Sequence, residues 1–210
     1  MDKYILEIPN FIPSDICQAI IKRFENDSGK GEGSFTYTVG NRSVSQKKYN
    51  TELNIQVLSG WDDITTLFIE YTMKVYDEYL KHLKKKFEQY DGEYPIYIRE
   101  LSGGNIFCSG FPIQRISKGD KYEWHHDGDI NRPYFIQMIF YLNSLDESQG
   151  GCTEFIDGTK VRPEMGKVLV YPCSWVFPHT GNEVKHGYKY ICTTAISIQT
   201  TQSPEMSDDR

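Results

Sequence analysis

The chain has 210 residues, 39% hydrophobic and 14% aromatic, with 15 Tyr and 11 Phe, which suits one domain with a substantial core and argues against intrinsic disorder. A net charge of −6 leaves no basic footprint for nucleic acid. The cysteines, Cys17, Cys108, Cys152, Cys173 and Cys192, are odd in number and form no Cys-x-x-Cys clip, which excludes a disulfide scaffold and a zinc ribbon and suits reduced thiols in the cytoplasm.

Lys3 to Ile8 reads as a short strand, and Asn10 to Asp15 as a turn feeding a helix with Ser14 as its cap. Ile16, Ala19, Ile20, Arg23 and Phe24 recur at helical spacing through about Glu25. Residues 26–50, rich in Gly, Ser, Asn and Lys, have the composition of a long loop, mobile or acting as a lid. Within it Gly29-Lys30-Gly31-Glu32-Gly33-Ser34 lacks the residue order of a phosphate loop. A second helix is predicted from Asp62-Asp63 to about Lys86, with Ile64, Leu67, Phe68, Tyr71, Val75, Tyr79 and Leu83 on its buried face. Lys84-Lys85-Lys86 suits the last turn of a helix and its dipole.

After Pro95 short β-branched and aromatic runs alternate with Gly, Asp, Asn and Pro. Strands are predicted at 111–117, 121–127, 134–142, 151–156, 167–172, 174–179 and 188–199. The expected fold is α+β: a helical flank over 1–95, a double-stranded β-helix (jelly roll) core over 96–200, and a flexible tail at 201–210. No segment approaches the roughly 18 apolar residues of a membrane span, and no signal sequence opens the chain, so a soluble, unexported, cytoplasmic protein without a membrane partner is expected.

The chemistry concentrates in Tyr122-Glu123-Trp124-His125-His126-Asp127-Gly128-Asp129 and in Pro178-His179. In a strand, Glu123, His125 and Asp127 share a face and His126 lies on the other, so the spacing favours His125 with Asp127. A distant His179 completes two imidazoles and one carboxylate, a set that suits non-haem Fe(II) with open positions. Two alternatives stand: His126 with Asp129 across a turn, and His186 in place of His179. Taken alone, His-x-Asp also occurs as ordinary polar decoration of a hairpin end. Lys189 opens the apolar strand Tyr188 to Ile196; facing inward it would need an anionic partner, and at the strand mouth its stem could reach water.

These residues resemble those of the Fe(II)/2-oxoglutarate-dependent dioxygenases, in their prolyl 4-hydroxylase-like branch. The likeness runs through Glu7 to Ile12, Gly119 to Asp127, Tyr141-Leu142-Asn143, Gly150 to Phe155, Gly166 to Pro172, and His179 through Lys189. It implies that His125, Asp127 and His179 hold iron, that Lys189 binds the far carboxylate of 2-oxoglutarate, and that Tyr141 and Thr153 assist it. O2 is the other cosubstrate, with ascorbate as a further candidate cofactor. For the substrate it points to Tyr122 and, more weakly, to Arg132; Trp175 is a further candidate for substrate contact, and Glu123, Trp124 and Trp175 are candidates for the walls and surroundings of the metal. The chain departs from the family at Ile116, where a tyrosine usually contacts 2-oxoglutarate, and at Ala195, where algal relatives carry tryptophan. Asp127 argues for oxygen insertion over halogenation.

The leading reading is hydroxylation of a prolyl residue in a protein or peptide, with release of succinate and CO2 and closure of the 26–50 segment as a gating step. The same enzyme class acting on a free amino acid, another small molecule or a non-prolyl side chain is the second. A non-catalytic jelly-roll binding module is the third.

Overall fold

The computed structural model describes residues 4–39, 42–87, 105–128 and 133–199, the side chains of 34–49 and 199 excepted. Twelve strands and two long helices are described: β1 (Leu6–Ile8), α1 (Ser14–Asn26), β2 (Gly31–Val39), β3 (Arg42–Asn54), α2 (Asp62–Phe87), β4 (Asn105–Cys108), β5 (Pro112–Ser117), β6 (Tyr122–His125), β7 (Ile136–Tyr141), β8 (Thr153–Phe155), β9 (Lys160–Val161), β10 (Val168–Pro172), β11 (His179–Gly181) and β12 (Tyr188–Gln199). The major sheet runs β1-β10-β7-β12-β5-β3-β2, with β4 also pairing β12. A smaller sheet runs β6-β11-β8-β9. Every pairing is antiparallel. The result is a mixed α+β fold resembling a double-stranded β-helix.

Alternation along the central strands divides the interior in two. Val168 and Val170 of β10, Met138 and Phe140 of β7, and Cys192 and Ile196 of β12 face the helices, where Cys17, Ile20 and Phe24 of α1 and Phe68, Val75, Tyr76 and Tyr79 of α2 complete one core. Phe68 lies 5.3 Å from Phe140 and 5.8 Å from Phe111, ring centre to ring centre; each such fully buried aromatic contributes about 2–3 kcal/mol. On the opposite face Ile139, Tyr141, Leu169, Tyr171 and Ile191 meet Phe155, Val161 and Phe177 in a second core. That face carries the candidate site.

Four expectations are corrected. Ser14 is the first helical residue, not the cap: Pro13 holds the N-cap position with extended backbone and no side-chain cap bond. Residues 26–50 are no long loop, because β2 and β3 form a hairpin whose Thr51 to Asn54 pair with Arg115 to Pro112 of β5. The strand expected over 121–127 ends at His125, and Asp127 lies in a bend. That over 174–179 begins only at His179: Phe177 N–H closes a turn onto Ser174 O at 2.8 Å, which the bracketing Pro172 and Pro178 favour.

Lys30, in the segment without phosphate-loop order, donates to the carbonyls of Phe24 and Glu25, both at 2.8 Å, and of Asp27 at the end of α1, where a cation also offsets the helix dipole. The 201–210 tail and the boundary at 95–96 lie outside the described residues.

Candidate metal centre

Two paired strands bring the histidines together. His125 ends β6, His179 begins β11, and the two are direct register partners in the small sheet. Their rings lie 4.2 Å apart. Asp127 turns in just beyond β6, its Oδ1 3.5 Å from His125 Nε2 and its Oδ2 3.5 Å from His179 Nε2. One ligand atom from each of the three lies within 4.8 Å of the others. Gly128 permits the close turn, since a Cβ there would come within 2.3 Å of the Cys173 carbonyl oxygen.

Backbone carbonyls set both imidazole tautomers. His125 Nδ1 lies 2.7 Å from Glu123 O and His179 Nδ1 3.1 Å from Phe177 O. A carbonyl accepts only, so each Nδ1 carries the proton and each Nε2 turns its lone pair toward Asp127. A carboxylate facing two lone pairs is unfavourable until a cation sits among them, so this donor set fits a divalent metal, with nitrogen and oxygen ligands that suit Fe(II). Burial alone would raise the Asp127 pKa, but positive charge on the imidazoles when they are protonated, with the Tyr171 hydroxyl, outweighs it and holds the carboxyl well below the usual range. Burial pushes His179 down, toward the neutral form that binds metal.

The cavity beside the triad has a volume of about 420 Å³ and reaches Lys189. Lys189 is 5% exposed, so it does not reach solvent along its stem. Its Nζ donates to Gly151 O at 2.7 Å and sits 5.5 Å from the Tyr141 ring centre. Among the described residues no carboxylate pairs with it. Desolvation lowers its pKa to about 8, and a bound carboxylate would offset that cost. Gly151 is held at φ +72°, where a Cβ would also meet Leu145 Cδ1 at 2.7 Å; glycine therefore lets this carbonyl face the ammonium. Tyr141 and Thr153 are buried beside Lys189, their hydroxyls 2.8 Å apart and bonded to each other.

Of the other expected residues, Tyr122 and Ile116 line the cavity, the Tyr122 ring centred 3.9 Å from that of His125, and Ala195 lines it too. Ile116 is the register partner of Lys189, an apolar wall without a hydroxyl. Trp175 is 75% exposed and is not part of the cavity lining, because the 174–178 turn carries it outward. Glu123 serves through its carbonyl, and Trp124 faces away, half exposed. His126 is exposed with its Nδ1 2.9 Å from Gly128 O, and His186 is exposed, so neither joins the cluster. Arg132 and Asp129 lie outside the described residues.

Reading the sequence misses Tyr171, whose hydroxyl lies 3.0 Å from both Asp127 Oδ2 and His179 Nε2. Alternation put it with Leu169 on the cavity face of β10, a signal present in Val168 to Pro172. Also missed are Asn54, Gln114, Gln137 and Thr193, a polar stretch of the cavity wall.

Known proteins agree with this geometry. The 2OG-Fe(II) oxygenase superfamily matches over residues 111–197, which contain the triad and Lys189. Comparison with curated protein sequences finds no match. Among solved structures, the fold is similar to the viral collagen prolyl hydroxylase of Paramecium Bursaria Chlorella virus-1 in its 2OG complex, at 18% identity and TM-score 0.54 over 92% of this chain and 95% of that one. It is similar also to a Trichoplax adhaerens prolyl hydroxylase in complex with a hypoxia inducible factor oxygen degradation domain peptide fragment (16%, TM-score 0.66, 92% and 83%). A third is a Pseudomonas putida prolyl-4-hydroxylase (13%, TM-score 0.55, 93% of each).

Residues 111–197 thus form a 2OG-Fe(II) oxygenase superfamily domain with a His-Asp-His facial triad. This domain and its triad support 2-oxoglutarate-dependent dioxygenase activity, with Fe(II), 2-oxoglutarate and O2.

Proposed function

We propose that His125, Asp127 and His179 hold Fe(II), that Lys189 receives the distal carboxylate of 2-oxoglutarate, and that the enzyme hydroxylates a prolyl residue of a protein or peptide. The observation that carries this reading is that the triad and a desolvated ammonium open into one cavity. Bound together, iron and 2-oxoglutarate would activate O2, the oxidant, with 2-oxoglutarate oxidised to succinate and CO2 as the substrate is hydroxylated. The protein's own part is geometric: Nδ1–H bonds to Glu123 and Phe177 carbonyls fix the imidazoles, Gly151 O aims the ammonium, and Ile116 and Ile191 wall the cavity with apolar surface.

Tyr122, on the wall beside His125, is the side chain we assign to the substrate ring. The prolyl reading is supported by the fold shared with proteins named prolyl hydroxylases, one of them solved with a peptide. The β2–β3 hairpin gives the cavity Asn50, Glu52 and Asn54, which suits a gating role for this segment. Five cysteines outside any disulfide suit the reducing cytoplasm. Among the described residues no helix is long and apolar enough to cross a membrane.

A second reading keeps the enzyme and changes the substrate. Gln114, Gln137, Asn54 and Thr193 make part of the wall hydrogen-bonding, which favours a polar side chain or small molecule over an apolar prolyl ring. Succinate release measured with and without proline-rich peptides separates the two. The prolyl reading predicts peptide-dependent turnover and hydroxyproline in the product; peptide-independent turnover without hydroxyproline contradicts it.

A further inference from the structure

We propose that Tyr171 is a positioning residue for the metal centre, its hydroxyl anchoring the carboxylate of Asp127; the inference rests on reading His125, Asp127 and His179 as the metal ligands. The phenol is 1% exposed and its oxygen lies 3.0 Å from Asp127 Oδ2. It is equally 3.0 Å from His179 Nε2. Because both imidazoles spend their Nδ1 protons on backbone carbonyls, neither has a proton to give the carboxylate.

A phenol has one proton and here two acceptors. Once a cation occupies the Nε2 lone pairs, the acceptor that remains is Asp127 Oδ2, leaving Oδ1, the oxygen nearer His125, for the cation. The ring that delivers this hydroxyl is fixed. It packs edge-on against Phe155 at 5.0 Å and against His179 at 4.9 Å, and its backbone is the register partner of Gln137 in the major sheet.

Packing does not explain the oxygen. The slot is otherwise built by Phe155, Phe177, Leu169 and Ile139, where phenylalanine would fill the space without a polar atom to desolvate. A buried hydroxyl is retained without penalty when it makes its hydrogen bond, and this one makes it to the candidate metal ligand.

The test is Co(II) titration of the full chain, followed by the visible absorption of the bound ion, for the parent and Tyr171→Phe. The variant should bind Co(II) about ten- to hundred-fold more weakly, while the melting temperature and near-UV circular dichroism of the metal-free protein stay at parent values. If phenylalanine disturbs folding, 4-fluorophenylalanine at 171 fills the hydroxyl's space without donating and should show the same loss, and 3-fluorotyrosine, which keeps the donor, should restore binding. Affinity of a folded non-donating variant within about twofold of the parent overturns the proposal and leaves the ligand set standing. A parent chain that binds no Co(II) overturns both.

Discussion

The residue with the most at stake outside the triad is Lys189, because its charge is buried before any partner arrives. Its pKa falls from 10.5 to about 8 as burial strips its water. Between those values the unfolded chain holds a proton that the folded chain has released, so stability rises with pH across that window. At pH 7 both states carry the charge and the folded state bears its full desolvation. Lys189→Met should therefore be more stable than the parent at pH 7, by on the order of 1–3 kcal/mol, with the Gly151 carbonyl's lost donor taking back part of the gain. Denaturant melts should show the difference closing between pH 8 and 10.5. In the presence of Fe(II), 2-oxoglutarate should raise the melting temperature of the parent by more than that of the variant, since only the parent offers a cation to its distal carboxylate. Equal stabilities at pH 7 would mean that the ammonium is not desolvated. The sequence revealed this lysine because a cation opening an apolar strand is conspicuous. Tyr171 escaped notice because an aromatic in a β-run looks like core, and it is core except for one oxygen.

At the scale of elements, the central strands were legible because their alternation is strong: β5, β7, β10 and β12 fall within one or two residues of the expected spans, as do both helices. Composition misled over 26–50. Gly, Ser and Lys suggested a loop, while the β-branched and aromatic run from Phe35 to Val39 carries strand character. The short strands β4 and β9 gave no periodicity to detect, being only four and two residues long. Asp127 shows how a right assignment can follow from a partly wrong geometry. It reaches the site because Gly128 lets the chain turn close to Cys173, and no strand continues through it. The hairpin's integration can be measured: Leu53 of β3 is 1% exposed and is the register partner of Ile113. Leu53→Ala should cost about 2–4 kcal/mol in urea denaturation. A cost below about 0.5 kcal/mol, the level of a surface substitution, would show that β3 is only loosely held to the sheet.

For the whole molecule, two sheets with different jobs explain where the site lies. The major sheet packs one face on α1 and α2 and offers the other to the cavity, while the small sheet delivers His125 and His179 as neighbours. The same cavity face turns from apolar near Leu169, Ile139 and Ile191 to polar at Gln114, Gln137 and Asn54. Deep apolar walls suit the aliphatic stem of a dicarboxylate ending on Lys189, and the polar stretch suits hydrogen bonds to the backbone or side chains of a substrate. Asp127 links both sheets, paired to the small one through the histidines and to the major one through Tyr171. The most direct measurement of the central claim is anaerobic addition of Fe(II) and 2-oxoglutarate to the parent and to Asp127→Ala. A weak visible charge-transfer band should form in the parent and be lost in the variant; no band in the parent at saturating ligand would contradict the account.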